Sequence, residues 1–209
     1  MLKAYKTVLR ASETEFTEKK SRFIGHCFPV SNEEEAQARL AEMRKRYADA
    51  THNCWAYNLE GGIMRFSDDG EPGGTAGMPI MDTLIKRDIK NAIIIVTRYF
   101  GGILLGSGGL VRAYSRSASD ALSAAGCGIM SPCRVLEFAV DYNRYGGIEG
   151  FVKANSIVDS IEFLENVRFR VTAAEDKADD LIAEIVERTD GRAQPEVVGE
   201  RFIAIPVGE

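Results

Sequence analysis

The spacing of apolar residues changes several times along this chain, and each change marks an element. Residues near Tyr5–Phe16 and Ser21–Val30 alternate with a period of two, which predicts two strands. Ser31-Asn-Glu-Glu-Glu then supplies an N-cap and an acidic first turn for a helix that carries Ala36, Leu40, Met43 and Tyr47 on one face. Asn53–Leu59 reads as a strand, and Glu60-Gly-Gly62 turns it into a short one at Ile63–Phe66. Met78–Lys86 reads as a short helix. Ala92-Ile-Ile-Ile-Val-Thr97 is apolar on both faces, as a strand at the centre of a sheet should be. A long helix from about Gly108 to Ala125 follows.

Two glycine-rich segments bracket that central strand: Ser67–Gly77 (SDDGEPGGTAG) and Gly101–Gly109 (GGILLGSGG). Glycine costs backbone entropy on folding, so such clusters imply unusual dihedrals or a backbone that something approaches closely. The helix after the second segment has two faces. Val111, Tyr114, Ala118, Ala121, Leu122 and Ala125 form an apolar stripe, while Arg112, Ser115, Arg116 and Ser119 share the opposite side. Arginines one turn apart can meet one phosphate-bearing ligand, and they also suit an ordinary solvated face.

Beyond Cys133 the pattern restarts. Arg134–Asp141 reads as a strand, Tyr145–Asn155 as a helix, Ser156–Val167 and Arg168–Ala174 as strands, Asp176–Arg188 as a helix and Ala193–Val207 as a last strand. That βαββαβ order is the ferredoxin-like pattern. Charge supports a division at Pro132: residues 133–209 carry 9 Lys and Arg against 16 Asp and Glu, while residues 1–132 carry 17 against 15. A polyanionic partner therefore belongs to the first part. The expected domains are 1–132 and 133–209, both α+β. The 209 residues include no apolar run near the roughly 20 needed to cross a bilayer, and the start of the chain lacks a signal-peptide pattern, so a cytoplasmic protein without membrane association is expected. Cys27, Cys54, Cys127 and Cys133 lack CxxC spacing, which predicts reduced thiols and no metal site.

The glycine loops fail two named phosphate cradles. Gly101 and Gly106 have P-loop spacing, but Ser107 stands where the lysine belongs. Gly106-Ser-Gly108 opens like a dinucleotide-binding turn, but Val111 occupies the third glycine position. What survives is a strand, a loop of backbone amides and a helix N-terminus, with Arg98 before and Arg112 after. Catalytic material is thinner. His52 and Cys54 share one face of a strand, and His52 with Asp68, Asp69 and Glu71 could form an acid/base cluster. Asp-Asp-Gly and Glu-Pro-Gly are equally favoured turn sequences.

Four segments, Lys19–Phe23 (KKSRF), Ala50–Tyr57 (ATHNCWAY), Ser67–Gly77 and Arg98–Tyr114, resemble the IMPACT/YigZ family, and the acidic tail resembles the small C-terminal domain of its bacterial branch. The resemblance implies an N-terminal α/β sandwich like the second domain of ribosomal protein S-five and a C-terminal ferredoxin-like sandwich like domain V of elongation factor G. Eukaryotic members regulate translation through the activator of a starvation-responsive kinase, but carry an added N-terminal RWD domain. The expectation is a translation-linked factor that binds RNA or the ribosome, without cofactor, through Lys19, Lys20, Arg22, Arg98, Arg112, Arg116 and the glycines 101, 102, 106, 108 and 109. Two alternatives stand beside it: a hydrolase or phosphate-handling enzyme built on His52, Asp68, Asp69 and Glu71, and a protein-interaction module exposing Trp55, Tyr99 and Phe100 together.

Overall fold

The apolar run from Ala92 lies in the middle of a five-stranded antiparallel sheet, as hydrophobicity on both of its faces requires; the computed structural model describes residues 4–206. The first of two compact units, Tyr5–Ile129, contains β1 (Tyr5–Val8), β2 (Ser12–Glu18), β3 (Ser21–Pro29), α1 (Glu33–Arg46), β4 (His52–Asn58), β5 (Met64–Ser67), α2 (Gly77–Lys86), β6 (Ala92–Tyr99) and α3 (Ser107–Ala125). The strand order is β2-β3-β6-β4-β5, every neighbouring pair antiparallel. Helices α2 and α3 bury one face over Phe23, Cys54, Ala56, Ile94 and Val96, and α1 buries the other over Ile24, Tyr57, Ile93 and Ile95. At roughly 1.5–3 kcal/mol per buried aliphatic side chain, Ile93 to Val96 tie the sheet to both helical layers.

Local chemistry sets the helix ends. The Asn32 side chain accepts from the Glu35 amide at 2.8 Å, and the Glu35 carboxylate accepts from the Ser31 amide at 2.7 Å, so two otherwise orphaned donors at the start of α1 are paired reciprocally. Acidic residues fill the first turn of α1 and Arg44, Lys45 and Arg46 its last, both favourable to the helix dipole.

Two sequence expectations change. Tyr5–Phe16 is two strands, because β1 pairs with the strand that begins at Cys127 whereas β2 pairs with β3; the chain changes sheets at Leu9, whose amide bonds Gly126 O at 3.1 Å. In α3, Val111 is 37% exposed and Leu110 and Ala113 take its place in the core, so the buried stripe begins one residue earlier.

The second unit, Met130–Ile203, is built from β7 (Cys127–Val140), α4 (Tyr142–Asn155), β8 (Ile157–Phe163), β9 (Val167–Ala174), α5 (Glu175–Arg188) and β10 (Glu196–Pro206). Its strands order as β10-β7-β9-β8, which is 4-1-3-2 within the unit and the arrangement of a ferredoxin-like sandwich. Its core gathers Leu136, Phe138, Ile148, Val152, Phe169, Val171, Leu181 and Ile185, drawn from the sheet and both helices. The fold class is therefore α+β in both parts. No helix among the described residues is long and apolar enough to cross a membrane.

Candidate nucleic-acid interface

Alternation along β6 decides the fate of its arginine. Arg98 lies two and four residues beyond Val96 and Ile94, so it points to the face covered by α3, and it is only 5% exposed. A guanidinium cannot lose its charge there, and it requires a carboxylate. Glu71, in the first glycine-rich loop, provides it: Arg98 Nη1 donates to Glu71 Oε1 at 2.6 Å, and Tyr114 of α3 donates its hydroxyl to the same oxygen at 2.7 Å. Ser21 Oγ accepts from Arg98 Nη2 at 3.3 Å and from the Gly101 amide at 3.2 Å. The rings of Phe23 and Phe100 each lie 5.5 Å from the guanidinium carbon. One carboxylate thus joins the first glycine-rich loop to the end of β6 and to α3, and Ser21 ties the second loop to the same guanidinium.

The rest of the acidic loop is held by its own carboxylates. Asp68 accepts from the amides of Gly74, Ala76 and Gly77 at 2.8–2.9 Å, closing the loop onto the start of α2. Burial alone would raise its carboxyl, but these amides outweigh that and hold it below the ordinary range. Asp69 accepts from the Asn53 amide at 2.7 Å and from Arg44 at 3.1 Å. His52 Nδ1 lies 2.8 Å from the Asp69 carbonyl. A carbonyl can only accept, so Nδ1 carries a proton, and Nε2 lies 3.9 Å from Glu71 Oε1. Cys54 is fully buried 2.9 Å from the Asp68 carbonyl, and burial pushes its thiol well above the ordinary value, so it is no thiolate at neutral pH. Of the four acid/base candidates, then, His52 and Glu71 come together, while Asp68 and Asp69 turn to backbone amides. No group of three or more metal-ligating side chains occurs among the described residues.

The cationic candidates divide in the same way. Arg22 is directed to the face opposite Phe23 and forms a bidentate pair with Glu15 at 2.7 and 2.8 Å. Lys19 and Lys20 make up the whole turn between β2 and β3, both exposed and both left-handed, with φ of 44° and 66°. That is the dihedral signature of a type I′ turn, held here without asparagine or glycine. Beside the turn, Lys19, Arg112 and Arg116 line a groove of about 270 Å³ with Phe16, Leu105, Gly109 and Ala113, and Glu18 also reaches its wall. Arg116 stacks 4.2 Å over Phe16 and reaches Asp120 at 3.5 Å, whereas Lys19, Lys20 and Arg112 have no ion-pair partner among the described residues.

The glycines bring this groove and the buried network together. A Cβ on Gly101 would sit 2.0 Å from the Lys20 carbonyl carbon, so only glycine lets the second loop lie against the lysine turn. Gly106, at φ 74°, is the N-cap of α3 and offers no side chain to the first-turn amides of Ser107, Gly108 and Gly109. Gly102, at φ 80°, is an exposed turn point of the loop.

A family model for the Impact N-terminal domain matches residues 19–122, the segment that holds both glycine loops and every residue of the network, and one for a domain of unknown function (DUF1949) matches 138–192. The IMPACT family member YvyE of Bacillus subtilis (strain 168) is 41% identical over 197 residues, 92% of this chain and 90% of its own length. The chain belongs to the IMPACT family. IMPACT family member YigZ of Escherichia coli (strain K12) is 32% identical over 181 residues, covering 84% of this chain and 89% of its own. The Protein IMPACT homolog of Dictyostelium discoideum shares 45% identity over 96 residues, 43% of this chain and 27% of that longer protein. A solved crystal structure of a hypothetical protein superposes with a TM-score of 0.62 at 28% identity, covering 95% of this IMPACT chain and 99% of the other.

The residues named for a protein-interaction surface are dispersed. Trp55 and Tyr99 pack against the α1-side core, whereas Phe100 covers Arg98 on the other side. Sequence reasoning missed Tyr114 as a polar partner, because its spacing places it in the apolar stripe, and missed Ser21 and the Glu71–Arg98 pair. The one available signal was the register of Arg98 with Val96 and Ile94.

Proposed function

We propose that this chain is a translation-linked regulatory factor that binds RNA, free or within the ribosome, through the groove between the lysine turn and α3. The observation that carries the reading is that Lys19, Lys20 and Arg112 make no ion pair among the described residues, at a groove that Arg116 also lines and that only one carboxylate, Glu18, reaches. Cations held in a concave wall release counterions when phosphates replace solvent, which is the main source of nucleic-acid affinity. The uncapped first turn of α3 adds amides and a partial positive charge at the same wall. Arg98 serves differently from the sequence expectation: it is buried in its pair with Glu71 and positions the second loop rather than meeting phosphate.

The translation link rests on membership of the IMPACT family and on the resemblance of the first unit to a ribosomal-protein domain. Affinity purification of the tagged full chain from cells, with and without nuclease, tests the reading. RNA recovered with the protein and lost on nuclease treatment is expected; recovery indistinguishable from an untagged control would overturn it.

A further inference from the structure

The loop that closes the groove carries a feature the phosphate reading leaves unused. Between Gly101 and Gly106 it exposes aliphatic side chains, Leu104 at 81% and Ile103 at 42%, while Leu105 turns in to line the groove. Phe100, just before, is 45% exposed. None of the amides from Gly102 to Leu105 donates a hydrogen bond within the described residues, and Leu105 is the residue of this stretch whose side chain packs against the core. An apolar tip kept in water beside a row of cations gains free energy only if its ligand offers an apolar surface next to a phosphate.

That condition separates two kinds of RNA. A continuous duplex turns phosphates and sugars outward and hides its base faces in the stack, so a leucine reaches a base face there only after a step is unstacked, at a cost of about a few kcal/mol. An unpaired nucleotide presents a base face one sugar away from its phosphate, already out of the stack and open to an apolar side chain without that unstacking cost. We infer that the Ile103–Leu104 tip packs against unpaired bases whose phosphates lie on Lys19, Arg112 and Arg116, so that the ligand is single-stranded or looped RNA rather than duplex. This rests on the RNA reading above. The wedge selects the form of the RNA, and the cations supply the salt-dependent affinity.

Fluorescence anisotropy of the full chain with a single-stranded oligoribonucleotide carrying one fluorescent adenine analogue, and with the same strand annealed to its complement, tests the assignment. Leu104→Ser and Ile103→Ser change exposed side chains, which keeps the fold out of the comparison, and Arg112→Ala/Arg116→Ala probes the cations separately. Tighter binding of the single strand is expected, with a change in analogue emission and a loss of about tenfold in affinity for Leu104→Ser at an unchanged salt slope. Equal binding of both forms, or a Leu104→Ser protein that binds the single strand like the parent, would overturn the wedge. If the arginine variant is nonetheless weakened, the groove reading stands without it. Absence of binding to either RNA overturns both, and loss of a protein partner through Leu104→Ser with RNA binding intact would overturn the wedge in favour of protein docking.

Discussion

Glu71→Ala removes the acceptor shared by Arg98 and Tyr114 and leaves a guanidinium enclosed by protein without a counter-charge. The pair it breaks is 2.6 Å long, with side chains only 6% and 3% exposed. The exposed pair Arg22–Glu15 has nearly the same length, 2.7 Å, but its side chains are 48% and 45% exposed. Distance therefore does not separate the two, and burial does. Breaking a buried pair from one side costs about 3–5 kcal/mol, because the abandoned charge stays out of water; an exposed pair is worth under about 1 kcal/mol. The Tyr114 hydroxyl loses the same acceptor, a cost that overlaps with the first and is not added to it. Urea unfolding followed by emission of Trp55, the chain's single tryptophan and a residue of β4, reads the first unit directly. Glu71→Ala should lower its stability by about 3–5 kcal/mol, and Glu71→Leu/Arg98→Met should be less harmful than Glu71→Ala alone, since it removes both charges. A Glu71→Ala loss no larger than that of Glu15→Ala would refute the reasoning, as would a double variant worse than both single ones.

Gly101→Ala should be destabilising, because its Cβ would meet the Lys20 carbonyl, a backbone group that cannot swing aside; we expect a cost above about 2 kcal/mol by the same urea assay, against a change of at most about 0.5 kcal/mol for Gly73→Ala in the same unit, where a Cβ meets nothing. His26 makes stability depend on pH. Burial, with a smaller push from Arg46 and against the pull of Glu13, lowers its imidazole from 6.5 to about 4. The unfolded chain therefore holds the extra proton between those values, so stability falls as pH drops from 6.5 towards 4, by about 1.4 kcal/mol per unit and roughly 3 kcal/mol in all, and is flat in this contribution below 4. Subtracting urea curves of His26→Gln from those of the parent across that range isolates the contribution; identical pH dependence would contradict it.

Legibility followed sequence separation. The βαββαβ order of the second unit and the central strand at Ala92 were readable because period and length are local properties. Arg98 illustrates the limit. A basic residue before a glycine loop invites an anion-binding reading, and its spacing from Val96 and Ile94 already directed it inward, but its partner Glu71 lies 27 residues away across a loop whose path no local rule determines. Asp68 read equally well as an acid or as a turn residue until the loop closed on three amides. The start of the buried stripe on α3 depended on contacts with the sheet and α2, which replaced Val111 by Leu110. The exposure of Leu104 had no sequence signal, because leucine in a loop ordinarily turns inward, as its neighbour Leu105 does.

The central claim is that the groove holds phosphates, and the salt dependence of RNA binding tests it most directly. Each phosphate contact on a single strand contributes about 0.7 to the slope of log K against log salt. The parent chain should weaken steadily as salt is raised, and Arg112→Ala/Arg116→Ala should bind more weakly with a slope shallower by roughly 1.4. An affinity indifferent to salt, or a double variant with the slope and affinity of the parent, would contradict the account.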